Sequence, residues 1–212
     1  MGHVVLIYAH PYPDRSRANR ALFDAVRTLH DVDARPIYDL YPDFAIDAEA
    51  EQAALARADA IAWQHPIYWY TVPALLKLWW EKVLCHGWAY GAGGTALVGK
   101  RCLWVATTGG DAHAYGEGGM HALPFDEYEP VVRQTARFCG MQWLDPLILH
   151  GAHRVSETDL FAFAGRYRER VMSLVASAPT LAPPVAPPPS MAELGLAPTA
   201  AQPEPSLPSG GR

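Results

Sequence analysis

The sequence predicts an α/β protein in which helices cover both faces of a parallel sheet. Short apolar runs without polar alternation, such as residues 102–106, are typical of strands buried on both faces. Between these runs lie segments whose apolar residues recur at helical spacing. Polar and glycine-rich stretches follow several runs, as expected where parallel strands end. Together these observations favour alternating strands and helices in three layers.

The composition limits the class of protein. Half of the 212 residues are hydrophobic, which is enough for one domain with a substantial core. The net charge of −5 offers no basic footprint for nucleic acid. Neither the three cysteines (Cys85, Cys102, Cys139) nor the nine histidines match a disulfide or metal-ligand spacing. There is no leader pattern and no apolar segment of membrane-spanning length. We therefore expect buried free thiols, no metal and a cytoplasmic protein.

The first half of the chain predicts three strands. Residues 3–9 are β-branched and nearly uncharged, which predicts the first strand, and two prolines then stop its pairing. Ser16 is predicted to cap a helix whose apolar residues run from Ala18 to Leu29. The remaining elements predicted here are a strand over 32–38, a helix over 48–57 and a strand over 58–65.

The second half predicts two strands and three helices. Pro73 suits the first turn of a helix whose apolar face runs from Leu75 to Val83. A glycine-rich loop leads to the fourth strand, which begins at Arg101 and ends on Thr107-Thr108-Gly109-Gly110. The other predicted elements are a helix over 127–139, a strand over 141–150, and a helix capped by Ser156 that runs to about residue 175.

Five strands alternating with helices predict a flavodoxin-like three-layer sandwich, whose parallel sheet has the order 2-1-3-4-5. We assign residues 1–176 to this domain. From Ser177 prolines and alanines dominate, with almost no aromatic residues. Residues 177–212 are predicted to be a disordered tail, because this composition cannot bury enough apolar surface to order the chain.

Two strand ends offer contacts to the two ends of one ligand. His10 follows the first strand, and residues 16–19 open a helix, where unpaired N–H groups and a partial positive charge favour a phosphate. Arg15 and Arg17 add positive charge. Residues 107–110 end the fourth strand with hydroxyls and with amides that glycine leaves accessible. Simple helix capping by Ser16 and an ordinary turn at 107–110 are the alternatives.

The third strand ends on three successive aromatic residues, Tyr68, Trp69 and Tyr70. Because neighbouring side chains diverge, at least one ring should be exposed or line a cavity. It could stack on a flat ligand, contact a second copy of the chain, or cover leucines of the core. Since ligands in open parallel sheets bind beyond the carboxyl ends of the strands, the three strand ends together predict a flavin mononucleotide type of ligand.

These motifs resemble those of the flavodoxin-like NAD(P)H:quinone oxidoreductases, the DT-diaphorase family. The resemblance covers residues 4–175 and includes His10-Pro-Tyr-Pro, His65-Pro-Ile-Tyr-Trp-Tyr and Thr107-Thr-Gly-Gly. Through Tyr41-Pro-Asp-Phe and the glycine-rich segment 91–100, the chain is more closely similar to the ancillary flavoprotein subunits of bacterial glutathione-regulated potassium efflux systems.

The resemblance implies a homodimer that holds FMN or FAD non-covalently and passes a hydride from NADPH or NADH to a quinone. It also implies a membrane potassium/proton antiporter as partner, which would place the protein at the inner membrane. Tyr115 and His121 match the family's tyrosine and histidine that polarise the flavin, whereas Tyr68 replaces a frequent glutamine. The implied cofactor contacts are His10, Ser16, Arg17, Ala18, Asn19, Ile67, Tyr68, Trp69, Tyr70, Thr107, Thr108, Gly109 and Gly110. A non-catalytic regulatory subunit and a one-electron flavodoxin-like carrier are the alternatives.

Overall fold

The sheet has the predicted strand order. A computed structural model describes residues 2–177, so the predicted tail, apart from Ser177, lies outside the described residues. The strands of this part are β1 (Val4–Tyr8), β2 (Val32–Pro36), β3 (Ala60–Pro66), β4 (Arg101–Thr107), β5 (Gln142–Trp143) and β6 (Leu147–Leu149). All pairings are parallel, in the order β2-β1-β3-β4-β5, and β6 also pairs with β4.

Helices cover both faces of the sheet, as the three-layer prediction requires. They are α1 (Ala18–Val26), α2 (Ile37–Leu40), α3 (Ala48–Arg57), α4 (Ala74–Val83), α5 (Glu129–Phe138) and α6 (Glu157–Ala176). On β1, Val5 and Ile7 join a core with residues of α3, α4 and α5, whereas Val4 and Leu6 join a core with α1 and α6. Because both faces of the central strands are buried, their sequences are continuous apolar runs.

The predicted fifth strand is divided in two. The ladder starts normally, with the N–H groups of Gln142 and Leu144 donating to carbonyls of the β4 side at 2.8 and 3.0 Å. In a parallel ladder alternate residues donate, so position 146 should be the next donor. Pro146 has no N–H, and pairing with β4 resumes only at Leu147. The prediction of a single strand over 141–150 was therefore wrong in this detail.

The predicted caps have different outcomes. Ser156 caps α6, since its hydroxyl accepts from the N–H of Asp159 at 3.0 Å. Ser16 does not cap α1: a 3-10 turn over Pro13–Arg15 ends at Ser16, whose own N–H donates to the carbonyl of Pro13. Arg17 is the residue before α1, and no side chain of the described residues caps that helix. The first amides of α1 are thus left without a side-chain partner.

Two further properties concern the surface and the thiols. Nowhere in residues 2–177 is a helix both long and apolar enough to cross a membrane. All three cysteines are free thiols, as expected. Cys102 and Cys139 are buried, but Cys85 is partly exposed, so the expectation of burial was wrong for it. Burial raises the pKa of the Cys139 thiol to about 11, so it stays protonated at neutral pH.

Candidate functional site

A cavity of about 410 Å³ opens beyond the carboxyl ends of β1, β3 and β4. The strand register creates it: Tyr8 pairs with Gln64 and Pro66 pairs with Thr107, so the three strands end at one edge. This is the point where the strand order reverses, and the volume suits a small molecule. The lining residues are His10, Tyr12, Arg15, Ser16, Arg17, Ala18, Asn19, Pro66, Ile67, Tyr68, Thr107, Thr108, Gly109, Ala152 and His153.

Most of the expected cofactor residues line this cavity, including every one of those from the first strand end. Trp69, Tyr70 and Gly110 do not line it, and neither do Tyr115 and His121. The structure thus brings together the expected contacts of the first strand end, Tyr68 and the polar end of β4, whereas Trp69, Tyr70 and the proposed catalytic pair lie outside the lining.

One end of the cavity is suited to an anion. The start of α1 lies here with its unpaired amides, beside Arg15 and Arg17. No acidic side chain is among the lining residues of the described chain. The Nδ1 atom of buried His10 lies 3.0 Å from the N–H of Tyr12 and accepts from it, and burial lowers the pKa of His10. A neutral His10 therefore carries its proton on Nε2 and can donate it.

Beneath this end, three buried side chains are linked in a row. The Nε2 atom of Gln64 donates to the backbone carbonyl of Asn19 at 2.8 Å and to its Oδ1 at 3.1 Å. The Nδ2 atom of Asn19 donates to the hydroxyl of Thr107 at 2.5 Å. Asn19 and Thr107 line the cavity, whereas Gln64 lies below them and is fully buried.

A buried histidine supports the other wall. The Nε2 atom of His65 accepts from the indole N–H of Trp104 at 2.7 Å, which leaves the ring proton on Nδ1, 2.9 Å from the carbonyl of Pro66. Burial lowers the pKa of His65 to about 4. Next to it, the N–H of Ile67 donates to the carbonyl of Thr107 at 2.8 Å. This neutral histidine thus holds Pro66, the last residue of β3, just before the aromatic turn.

The aromatic turn has an unusual backbone. Tyr68 and Thr71 exchange two hydrogen bonds, of 3.0 and 3.1 Å, around Trp69 and Tyr70. Both central residues have positive φ, 49° and 65°. Such two-residue turns favour glycine and asparagine, so two bulky aromatic residues here store backbone strain. Trp69 is consequently directed outward and is 91% exposed.

Tyr115 and His121 form a stacked pair next to the end of β4. Their ring centroids are 4.5 Å apart, and Tyr70 meets His121 edge-on at 5.6 Å. Gly110 allows this approach, because a Cβ there would lie 3.1 Å from His121 Nε2. Burial raises the pKa of Tyr115. Tyr115 and His121 therefore lie against each other and close to Gly110, the residue that follows the lining residue Gly109; their catalytic role stays a prediction.

Sequence reasoning missed the contribution of the segment after β6. Ala152 and His153 line the cavity, and Tyr12 and Pro66 were also not expected there. This segment is joined to β4 by the N–H of Gly151 to the Gly110 carbonyl and the N–H of Ala152 to the Thr108 carbonyl, both 2.8 Å. The signal was present in the sequence: the last strand ends at the same edge as the others, and a histidine follows it.

Comparison of the sequence with known proteins finds a matching protein family and similar curated proteins. Residues 2–171 match the model of a protein family described as having a flavodoxin-like fold. The glutathione-regulated potassium-efflux system ancillary protein KefF of Salmonella typhimurium is 48% identical over 170 residues, which span 80% of this chain and 96% of that protein.

Solved structures share the architecture. The general stress protein 14 of Treponema denticola, determined in complex with FMN, aligns with a TM-score of 0.73 at 32% identity, over 82% of this chain and 98% of that one. An NADPH-quinone reductase from P. pentosaceus aligns with a TM-score of 0.72 at 26% identity, over 79% of this chain and 96% of that one.

Proposed function

This chain belongs to the flavodoxin-like family and is a homologue of the glutathione-regulated potassium-efflux ancillary proteins, and from that premise we propose that it is a flavin-dependent NAD(P)H:quinone oxidoreductase. The observation that carries the proposal is the cavity at the switch point of the sheet, which has an anion-binding end and a polar wall. The similarity to an FMN complex and to a quinone reductase supports the same function.

The phosphate end of a flavin fits the donors at the start of α1. The amides there have no side-chain cap, and His10 presents its Nε2 proton. Arg15 is available for charge pairing, whereas Arg17 also donates to the carbonyl of Val155 and so holds the loop after β6 against α1. A dianionic phosphate would meet these donors and positive charges, and no acidic side chain of the described residues lines the cavity.

The ring of a flavin fits the wall formed by β3 and β4. Gly109 is the clearest sign, because a Cβ there would meet only His153, at an ordinary 3.5 Å, and both residues line the cavity. Glycine at this point leaves room for a flat ligand close to the backbone. The hydroxyls of Thr107 and Thr108 and the half-exposed ring of Tyr68 lie around it.

A bound flavin, FMN or FAD, would accept a hydride from NADPH or NADH. It would then pass two electrons to a quinone, which takes up two protons. The chain binds and orients the reactants. We assign proton donation and charge stabilisation to Tyr115 and His121. Because the pKa of Tyr115 is raised, its hydroxyl keeps its proton throughout the neutral range and can donate a hydrogen bond.

The decisive experiment is a titration of the purified apoprotein with FMN and with FAD, followed by NADPH or NADH and then a quinone, without oxygen. We expect stoichiometric binding of one flavin, rapid loss of its absorbance with the nicotinamide, and recovery with the quinone. A protein that binds flavin but leaves NADPH and NADH unoxidised would be a non-catalytic subunit. Reduction in two separate one-electron steps would favour a carrier.

The similarity to potassium-efflux ancillary proteins supports a second function, as activator of a membrane potassium/proton antiporter. In the segment Tyr41–Phe44, Tyr41 is buried but Phe44 is exposed, so Phe44 is the part that could contact such a partner. Binding of the purified chain to the cytosolic domain of a cognate antiporter, and its loss in Phe44→Ser, would support this function. It would place the protein at the inner membrane through its partner.

We also propose that the chain forms a homodimer through a groove of about 480 Å³ between α4 and α5. The groove is lined by Trp80, Leu84 and two exposed apolar side chains of α5, Val131 and Phe138. Exposed apolar surface of this kind marks interaction sites. Light scattering should give twice the monomer mass for the wild type, and Val131→Glu should shift it toward the monomer.

A further inference from the structure

In the buried row of Gln64, Asn19 and Thr107 beneath the cavity, the donor and the acceptor of each hydrogen bond can be assigned. The row begins at a group whose role cannot change: the backbone carbonyl of Asn19 can only accept. Gln64 must therefore present its NH₂ group to that carbonyl, at 2.8 Å. The second hydrogen of the same NH₂ group points to the side-chain oxygen of Asn19, at 3.1 Å.

This arrangement fixes the amide of Asn19 in turn. If the amide were reversed, its NH₂ group would face the NH₂ group of Gln64, and two donors would oppose each other. Oδ1 of Asn19 therefore faces Gln64, and Nδ2 faces Thr107. The Thr107 hydroxyl, 2.5 Å away, must accept from it.

The consequence concerns the proton of Thr107. A hydroxyl that accepts in this way still has one hydrogen to donate. Among the described residues 2–177 this hydroxyl makes no hydrogen bond as a donor, and Thr107 lines the cavity. The Thr107 hydroxyl can therefore satisfy its donor only with a molecule in the cavity.

We propose that Gln64 is a positioning residue, which acts through Asn19 to make the Thr107 hydroxyl a fixed hydrogen-bond donor to the ligand. This inference rests on the proposed flavin binding and deepens it: the ligand atom that meets Thr107 is an acceptor, such as a carbonyl oxygen, a ring nitrogen or a hydroxyl oxygen. A hydroxyl without such a constraint could turn to serve either a donor or an acceptor.

A second observation supports the role of the Gln64 amide. Its Oε1 atom is buried and has no partner in the described chain. Burying an acceptor in this state costs free energy, and a leucine of similar size would avoid the cost. At position 64 the NH₂ group of the amide is used and its oxygen is not. Packing alone does not require an amide here.

The test is a double-mutant cycle on the affinity for FMN, measured by quenching of flavin fluorescence. Gln64→Leu removes the donors that orient Asn19, and Thr107→Val removes the hydroxyl while keeping its shape. We expect each to weaken FMN binding about three- to tenfold, as loss of one neutral hydrogen bond does. The double variant should bind no more weakly than Thr107→Val alone, because Gln64 acts only through that hydroxyl.

Two controls separate positioning from general damage. Thr107→Ser keeps the hydroxyl and should restore the affinity. Gln52→Leu removes a similar NH₂ contact, to the carbonyl of Val83 at 2.9 Å, far from the cavity, and should leave FMN binding unchanged. Thermal melting of each apoprotein shows whether it folds; if Gln64→Leu does not, Gln64→Met removes the same donors with a closer shape.

The outcomes are distinct for the inference and for the proposed function. Additive effects in the cycle, or an unchanged affinity in Gln64→Leu, would overturn the inference even if the protein reduces quinones. A wild type that binds FMN with a non-additive cycle, but does not oxidise NADPH or NADH, would overturn the enzymatic function and support the inference. A wild type that binds neither FMN nor FAD would overturn both.

Discussion

Two clusters of buried polar side chains lie on opposite faces of the sheet, and they differ in whether their hydrogen bonds are complete. Around Glu51, on the α3 and α4 side, the carboxylate accepts from the Arg35 guanidinium at 2.7 and 3.0 Å, from the Tyr41 hydroxyl at 2.6 Å and from the Trp79 indole at 2.9 Å. Both carboxylate oxygens are engaged, so this cluster needs nothing from outside the fold.

The row of Gln64, Asn19 and Thr107, on the α1 side, is incomplete. Within the described residues the amide oxygen of Gln64 has no partner, and by the inference above the Thr107 hydroxyl has a proton to donate to the cavity. The difference shows how function can be recognised among buried polar groups. A cluster that satisfies itself stabilises the fold, whereas one that leaves a bond open at a cavity wall is built for a ligand.

The largest expected effect tests the closed cluster. Glu51→Gln removes the charge that pairs with Arg35, and we expect the free energy of unfolding to fall by about 3–5 kcal/mol, as when one partner of a buried ion pair is lost. The FMN affinity of the folded protein should stay within about twofold, because the cluster does not reach the cavity. Urea denaturation and fluorescence titration measure the two quantities.

The matched control for that variant is Glu49→Gln on the same helix. Glu49 is exposed, with no salt bridge in the described chain, so the change should cost only a few tenths of a kcal/mol, about as for a surface charge. A large loss of FMN affinity in Glu51→Gln would break the distinction between the two clusters.

The second prediction concerns His65 and the pH dependence of stability. Its pKa falls from 6.5 in the unfolded chain to about 4 in the fold. Between these values the unfolded state binds a proton that the folded state does not, so stability is lost as the pH decreases. At pH 4 this amounts to about 3 kcal/mol relative to pH 8. Wild type and His65→Gln should be compared by urea denaturation across this range.

Glutamine can replace both contacts of His65, accepting from Trp104 and donating to the Pro66 carbonyl, but it does not titrate. The difference in unfolding free energy between the two proteins should therefore change by about 3 kcal/mol between pH 8 and pH 4. Parallel curves would show that His65 is not the group responsible.

The third prediction concerns Tyr115, to which we assign a role in the reaction. Tyr115→Phe removes a hydroxyl that we assign to the reaction, so oxidation of NADPH by the FMN-loaded protein should slow about a hundredfold. FMN affinity should not change, because Tyr115 does not line the cavity. Stopped-flow absorbance measures the rate.

The control is Tyr128→Phe in the same aromatic cluster, where Tyr128 stacks on Tyr70. This variant should keep the wild-type rate. Equal slowing in Tyr115→Phe and Tyr128→Phe would indicate an effect on loop packing instead.

The fold and much of the cavity lining could be predicted because they depend on repeating patterns. Strands buried on both faces have apolar sequences, and parallel topology brings their carboxyl ends together, so His10 and Thr107 could be placed at one edge without coordinates. The division of the last strand was missed, although it follows from a single missing N–H at Pro146.

What the sequence could not give depends on individual conformations. Trp69 and Tyr70 have positive φ, although both residue types prefer negative φ. A sequence pattern that assigns such turns to glycine therefore misses this turn. The role of Gln64 was also missed, because it depends on which way two amides face, and within the apolar third strand it is indistinguishable from any buried polar residue.

The smallest expected effect separates two neighbouring glycines at the end of β4. Gly109→Ala adds a Cβ whose nearest contact is His153 at 3.5 Å, so the fold should tolerate it, but the methyl group takes space beside the ligand. We expect FMN affinity to fall about tenfold, or about 1.4 kcal/mol, with little change in melting temperature. Fluorescence titration and thermal melting give both values.

Gly110→Ala makes the same change one residue later, where the Cβ would lie 3.0 Å from the Cβ of Ala114 and 3.1 Å from Nε2 of His121. Those groups would have to move, so we expect a loss of stability of about 1–3 kcal/mol, as in overpacked sites, and a smaller loss of FMN affinity than in Gly109→Ala. The two variants should thus differ in the property they change: Gly109→Ala should mainly lower the affinity for the ligand, and Gly110→Ala should mainly lower the stability of the fold. If Gly109→Ala destabilises the apoprotein as much as Gly110→Ala does, Gly109 is needed for folding, and the cavity wall loses its clearest sign of a bound ring.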